Sequence, residues 1–177
     1  MQLVGERVIV REKRVEDIED DYEWRSNPDL AVFDGVPALR MSWADYKRIA
    51  ESDIRHPIPR QLTFSIEDPE TGLHIGNCMY YDHDEYRSQA ELGIMIGRSE
   101  YWSKGYGSDA VTLLLHYLFT EMKLKRVYLH TLKWNERAQK AFKKVGFEPI
   151  REVQRNGHIF ILMEVVAPTA VEEAPQL

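Results

Sequence analysis

The stretch from Glu91 to Met122 constrains this chain more than any other, because it reads as a strand, a glycine-containing turn and a long helix in immediate succession. Leu92, Ile94 and Ile96 alternate with Glu91, Gly93 and Met95, the period of a half-buried strand. In the turn Trp102-Ser103-Lys104-Gly105-Tyr106-Gly107-Ser108, two glycines flank one aromatic. The backbone can therefore bend sharply and bring its N–H groups close to a ligand. Val111, Leu114, Leu115, Leu118 and Met122 then recur at helical spacing. The first amides of such a helix lack intrahelical acceptors and lie at the positive end of its dipole. With Lys104 beside them they form an anion site suited to a phosphate or pyrophosphate. The spacing is not that of a nucleotide-hydrolysing P-loop, and no third glycine completes a dinucleotide fingerprint.

Length and composition place this unit in one domain. The chain has 177 residues, 44% of them apolar, enough for a proper core. Residues 1–166 read as a single domain and 167–177, with two prolines, two glutamates and few large apolar groups, as a flexible tail. Acidic residues outnumber basic ones, 29 to 23, for a net charge of −6. That balance argues against nucleic acid as the partner and accommodates a cationic substrate. The one cysteine, Cys78, excludes an internal disulfide and reads as a small buried hydrophobe in a reducing compartment. The six histidines form no ligand spacing with Cys78 or with one another, so no metal site is expected. No apolar run reaches membrane-spanning length, and a cytoplasmic location is the expectation.

The remaining segments fall into order around the central unit. Arg7 to Glu12 alternates as a first strand, and Glu16 to Arg25 carries Ile18 and Tyr22 at helical spacing, with Asn27-Pro28 as its stop. Asp17, Glu19, Asp20 and Asp21 make that helix strongly acidic, either a solvated face or a cation-attracting rim. Ser42 reads as the N-cap of a second helix, with Asp45 in its first turn. Leu62 to Glu67, His74 to Tyr81 and Ala90 to Gly97 read as an antiparallel meander. Arg126 to Thr131 returns parallel after the long helix. Ala138 to Val145 is a short helix ended by Gly146. Glu148 to Gln154 and His158 to Val166 are strands joined by an Asn156-Gly157 hairpin turn.

Gly105-x-Gly107, opening a long helix after an apolar strand, resembles motif A of the GNAT acyl-CoA-dependent N-acetyltransferases. Asn135-Glu136-Arg137-Ala138 followed by Phe142 and Gly146-Phe147 resembles that family's Asn-x-x-Ala helix and closing Gly-Phe. The wording around Tyr101 to Gly107 is similar to the branch holding ribosomal-protein alanine N-acetyltransferases and spermidine acetyltransferases. The resemblance implies a mixed α/β (α+β) fold, one central and mostly antiparallel sheet of about seven strands flanked by helices. It also implies acetyl-CoA as co-substrate, direct attack by a primary amine in a ternary complex, and a homodimer. The pyrophosphate would lie on the amides of Ser103, Lys104, Gly105, Tyr106, Gly107 and Ser108, with the pantetheine arm along the backbone of Met95, Ile96 and Gly97. Asn135 would complete the cofactor site through its side-chain amide, or serve as a helix N-cap.

An alkylammonium with a pKa near 10.4 must lose a proton before it attacks, and two groups are candidates for the base. Glu91 begins the central strand. His130 lies where the ribosomal-protein enzymes carry a carboxylate base, and its ordinary pKa of about 6.5 suits the task. The bland alternatives are a solvated strand-end charge and a satisfied polar partner. Two positions depart from the family pattern. Phe142 stands where many members place a tyrosine that protonates the leaving thiolate, which leaves a water or a hydroxyl such as Ser103 for that role. Trp102 stands where an arginine or glutamine often opens motif A. Trp24, Phe33, Trp43 and Tyr46 fall in the region that covers the acceptor site in the resembled fold, though core packing explains them equally well. The acceptor alternatives are a ribosomal-protein or peptide N-terminus, a polyamine, and an amino sugar or antibiotic amine. The alternative of another class is a non-catalytic acyl-CoA-binding module, motivated by Phe142.

Overall fold

Strand alternation assigns each residue of the sheet to one of two faces, and the two faces are buried in different ways. A computed structural model describes residues 1–58 and 60–168; the expected tail falls almost wholly outside these residues. In chain order the elements are β1 (Gln2–Val4), β2 (Ile9–Glu12), α1 (Ile18–Ser26), α2 (Pro28–Ala31), α3 (Trp43–Arg55), β3 (Leu62–Glu67), β4 (His74–Asp84), β5 (Gln89–Ile96), α4 (Tyr106–Thr120), β6 (Arg126–Leu132), α5 (Glu136–Val145), β7 (Glu148–Arg155) and β8 (His158–Val166). The strands form one eight-stranded sheet in the order β1-β2-β3-β4-β5-β6-β8-β7. Every neighbouring pair is antiparallel except β5 and β6.

The mixed sheet agrees with the expected fold, with one more strand than the seven expected. The addition is β1, whose three residues are too few for alternation to register and which pairs with the start of β2. Asn27-Pro28 also does more than end a helix. The Asn27 side chain accepts from the Asp29 N–H, and Pro28, its φ already suited to a first helical position, opens the short α2. Ser42 caps α3 by accepting from the Asp45 N–H at 3.2 Å. Asn156 and Gly157 turn the β7–β8 hairpin at φ values of 47° and 79°, the left-handed pair that a tight hairpin needs.

On one face Val8, Val10, Phe64, Ile66, Cys78 and Leu92 pack under Ala110, Val111, Leu114 and Leu118 of α4. Cys78 is fully buried there, and burial pushes its thiol up to about 12, so it is an unreactive packing group. On the opposite face Arg11, Ser65 and Asn77 are cross-strand neighbours on β2, β3 and β4, and what covers them is the acidic α1 segment. Asp17 accepts from both Nη atoms of Arg11 at 2.8 and 2.9 Å, from Ser65 Oγ at 2.7 Å and from the Arg14 N–H at 2.7 Å. Asp21 accepts from Asn77 Nδ2 and pairs with Lys13, each at 2.6 Å. Asp17 and Asp21 are therefore structural, neither a solvated face nor a substrate rim; they are only 3% and 6% exposed.

Burial alone would raise the Asp17 pKa, but the bonds from Arg11, Ser65 and Arg14 overcome it and hold the carboxyl well below the usual carboxylate range. A depressed folded-state pKa contributes stability that is present in full above the unfolded value of about 3.9 and is lost as pH falls below it. We expect Asp17→Asn to cost about 3–5 kcal/mol in denaturant unfolding at pH 7, because it leaves a buried guanidinium short of a partner. The same variant should lose less further stability than the wild type between pH 5 and pH 2. A cost below 1 kcal/mol would show that the network is incidental.

Candidate active site

The parallel pairing of β5 and β6 is short. Gln89, Ala90 and Glu91 pair with Arg126, Val127 and Tyr128, and beyond that register the strands no longer pair. Their continuations, Leu92 to Ile96 and Leu129 to Thr131, line one cleft of about 2090 Å³. That is about twice what a drug-sized ligand fills, room for two reactants.

The cleft offers unpaired strand backbone along one wall. The Gly97 N–H donates to the Ile75 carbonyl on β4 at 3.0 Å. Alternation along the strand therefore turns the polar groups of Met95 towards β4 as well, and those of Leu92, Ile94 and Ile96 towards the edge that β6 has left. Of Met95, Ile96 and Gly97, only Ile96 faces the open edge, and its carbonyl already accepts from Trp102 Nε1 at 2.7 Å. Gly97 has a different structural role. A Cβ built there would fall inside the indole of Trp24, so the glycine lets that ring lie against the end of β5.

The anion site opens the same cleft. Ser103 and Gly105 take left-handed backbones, φ 59° and 90°, so successive amides are turned in one direction before α4 begins. Gly105 is the N-cap and no side chain caps the helix; the first N–H answered within the helix is that of Asp109, on the Gly105 carbonyl at 3.0 Å. Gly107 lies against Ile94 and Ile96, and Ser103, Gly105, Gly107 and Ser108 line the cleft, while Lys104 does not. Tyr106 instead packs edge-on to Tyr101, with ring centroids 4.9 Å apart. Arg7 was not evident from sequence: its Nε lies 3.2 Å from where a Gly105 Cβ would be, a cation beside the helix start. Asn135 caps α5 by accepting from the Ala138 N–H at 3.2 Å. Its Nδ2 is left without a protein partner among the described residues. An open strand edge, uncapped amides and a free side-chain amide fit a phosphorylated, amide-bearing arm.

Deeper in the cleft, the last paired register sets the polar centre. Glu91 is opposite Tyr128, and two residues further along β6, on the same face, is His130. His130 Nδ1 lies 2.7 Å from Glu91 Oε1, with the Glu91 side chain 5% exposed and that of His130 9%. With Glu91 ionised, Nδ1 donates and Nε2 keeps its lone pair. Tyr81, the register partner of Glu91 on β4, and Tyr128 flank this carboxylate. Burial first, and the Glu91 charge second, push both phenols above their usual range, so they remain protonated. Tyr81, like Arg7, is not evident from sequence; the β4–β5 register reveals it. Phe142 lines the cleft and meets Phe147 edge-on, with ring centroids 5.9 Å apart.

A family model described as "Acetyltransferase (GNAT) domain" matches residues 7–148. The chain belongs to the GNAT acetyltransferase family. It is 28% identical over 149 residues to an uncharacterised N-acetyltransferase, p20, of Bacillus licheniformis, covering 82% of each chain. Among solved structures, the fold is similar to spermidine N-acetyltransferase from Vibrio cholerae in complex with CoA and spermine: TM-score 0.79, 19% identity, 90% of this chain and 95% of that one. It is also similar to ribosomal-protein-S5-alanine acetyltransferase from Vibrio fischeri: TM-score 0.76, 20% identity, 94% and 96% covered. As a GNAT protein the chain is an acetyl-CoA-dependent N-acetyltransferase, and the cleft between β5 and β6 is where its residues fit that co-substrate.

The glycine at position 97 provides a test of the wall. Gly97→Ala should cost about 1–3 kcal/mol, because the new methyl displaces the Trp24 indole from the end of β5. A drop in melting temperature with a blue- or red-shifted tryptophan emission is the expected pair of observations. An unchanged emission spectrum would show that Trp24 does not rest there.

Proposed function

We propose that the chain acetylates a cationic primary amine, with His130 as the general base and Glu91 as the group that orients and charges it. The observation that carries this reading is the 2.7 Å Glu91–His130 pair at the floor of the cleft. Acetyl-CoA supplies an activated acyl carbonyl with a thiol leaving group. Glu91 fixes the His130 tautomer, His130 Nε2 takes the ammonium proton, and the imidazolium that results is stabilised by the carboxylate it already touches. The open edge of β5 and the amides from Ser103 to Ser108 hold the donor, and Asn135 Nδ2 adds a further donor from the opposite wall. Tyr81, protonated and beside Glu91, keeps the pair in place.

A polyamine or a protein N-terminus are the acceptors favoured. Asp34, Asp53 and the Tyr46 ring line the outer cleft, and carboxylates with an aromatic face suit an extended cation. The two solved relatives named above act, by their descriptions, on acceptors of those two kinds.

Thiol release from acetyl-CoA should be measured with spermidine, spermine, peptides bearing N-terminal alanine or serine, and an aminoglycoside. Turnover with a polyamine or a peptide supports both the reaction and these acceptors; turnover with the aminoglycoside alone, itself a cationic primary amine, overturns the choice of acceptor, and no turnover with any of them overturns the reaction. Acetyl-CoA at a hundred times its dissociation constant should stabilise the fold by about 2.7 kcal/mol. His130→Ala should lower kcat about 10²- to 10⁴-fold while that stabilisation persists. Glu91→Gln should lower kcat by a smaller factor. If both variants keep the wild-type rate and pH profile, the base lies elsewhere.

A further inference from the structure

Strand alternation decides which side chains an acceptor meets beside His130. Thr63, Met79 and Gly93 are register partners across β3, β4 and β5, two residues along from the Tyr81–Glu91 pair and on the same face. All three line the cleft, as do Ala50 and Ile54 of α3. Gly93 brings no side chain of its own. A Cβ built there would lie 3.1 Å from Met79 Cγ and 3.3 Å from Tyr81 Cε1, so those two side chains lean across the glycine. The floor beside the base is therefore uncharged, and its largest member is an adaptable thioether.

Charges lie further out, and they are not of one sign. Asp34 and Asp53 line the outer cleft, but so do Arg25, Arg60 and Arg155. Lys13 and Asp21 line it too and neutralise each other at 2.6 Å. Arg25, in the last turn of α1, holds its guanidinium 5.9 Å from the centre of the Tyr46 ring. Partial burial raises the pKa of the Asp34 carboxyl and of the Tyr46 phenol, and the Arg25 charge opposes that rise at both. This cation therefore sits close to one of the two carboxylates that a second ammonium would seek. Arg155 belongs to the same sheet face as His130, since His130 pairs with Leu162 on β8 and Arg155 with His158 four residues earlier on that strand. An acceptor with several ammonium groups meets three arginines here, where a polyamine needs an excess of carboxylate.

We propose that the acceptor is the N-terminus of a peptide or protein whose first residue is uncharged, and that Arg25 turns polyamines away. The inference rests on acetyl transfer in this cleft, and it narrows the two favoured acceptors to one. An N-terminus brings a single ammonium, which His130 deprotonates, and its first side chain then meets Thr63, Met79 and Gly93 and no charge. The backbone behind it offers carbonyl oxygens to the arginines and N–H groups to Asp34 and Asp53, so both signs find partners. A polyamine offers donors only, and each further ammonium brought near Arg25 is repelled.

The test measures thiol release from acetyl-CoA by the full chain and compares kcat/KM for a peptide with N-terminal alanine against spermidine. The wild type should favour the peptide by about tenfold or more, and by less as salt is raised, because repulsion between exposed charges is screened. Arg25→Glu should lower that preference about tenfold, through KM for spermidine with kcat nearly unchanged. Met79→Glu, which places a carboxylate on the uncharged floor, should lower it as well. Stabilisation by acetyl-CoA checks that each variant keeps its fold and donor site. A wild type that turns over spermidine as well as the peptide overturns the proposal, and so does an unchanged preference in both variants. No thiol release with either acceptor overturns it too, and if the aminoglycoside also fails, the acetyl-transfer reading falls with it.

Discussion

The three-register contact between β5 and β6 is the constraint on which the active site depends. Two parallel strands joined by a helical crossover need to pair only far enough to fix their alignment, and here the ladder ends at Glu91 and Tyr128. Everything chemical lies just past that point. The two glycines of the anion turn follow β5, Asn135 follows β6, and the Glu91–His130 pair bridges the strands where they separate. Ligands of sheets with crossover connections gather outside the carboxyl ends of adjacent strands, because only there do two edges and a helix N-terminus converge. Had β5 and β6 stayed paired to their ends, the polar groups of Leu92 and Ile94 would be spent on the ladder and the cleft would not exist.

The two faces of the sheet solve the problem of burial differently. Under α4 the packing is apolar and depends on area, so residues of similar volume could exchange there at modest cost. Under α1 it is ionic, and depends on each charge meeting its partner. Asp17, Asp20, Asp21 and Trp24 repeat every three or four residues, the period of a buried helix face, with carboxylates in place of leucines. His74 continues the network, its Nδ1 3.1 Å from Asp20 Oδ2 and its Nε2 3.1 Å from Asn77 Oδ1, and its ring lies 4.8 Å from that of Trp24. A buried ionic layer adds little net stability over an apolar one, but it tolerates only one seating of the helix. Trp24 rests on Gly97, so that seating also decides where the end of β5 lies relative to the cleft.

This difference explains what could be read from sequence and what could not. Alternation and glycine placement carry the strands from β2 onwards, α4, the α5 cap and the β7–β8 turn, because each follows a local rule of spacing or backbone conformation. The glycines of the turn and the uncapped start of α4 were legible for the same reason. Glu91 and His130 were legible singly; their 2.7 Å contact was not, since it follows from a parallel register that no local pattern encodes. The acidic α1 misled because a hydrophobic pattern is blind to a face buried by charge. Sequence gives the order of Met95, Ile96 and Gly97 along the strand but not which edge each residue's polar groups face; that needs the Gly97–Ile75 bond.

Phe142 is the position where family resemblance and local chemistry pull apart, and the physical demands of the two proton transfers resolve it. In the proposed mechanism the alkylammonium, with a pKa near 10.4, gives its proton to His130, and the buried Glu91 carboxylate on Nδ1 stabilises the imidazolium that results. The departing thiol, with a pKa near 8.5, leaves as a thiolate that water can protonate afterwards. The base is therefore the group such a site needs to build, and an acid is an added convenience. With Phe142 edge-on to Phe147, the helix contributes packing at that point, and the polar groups of this part of the cleft are Glu91, His130 and the two tyrosines around them.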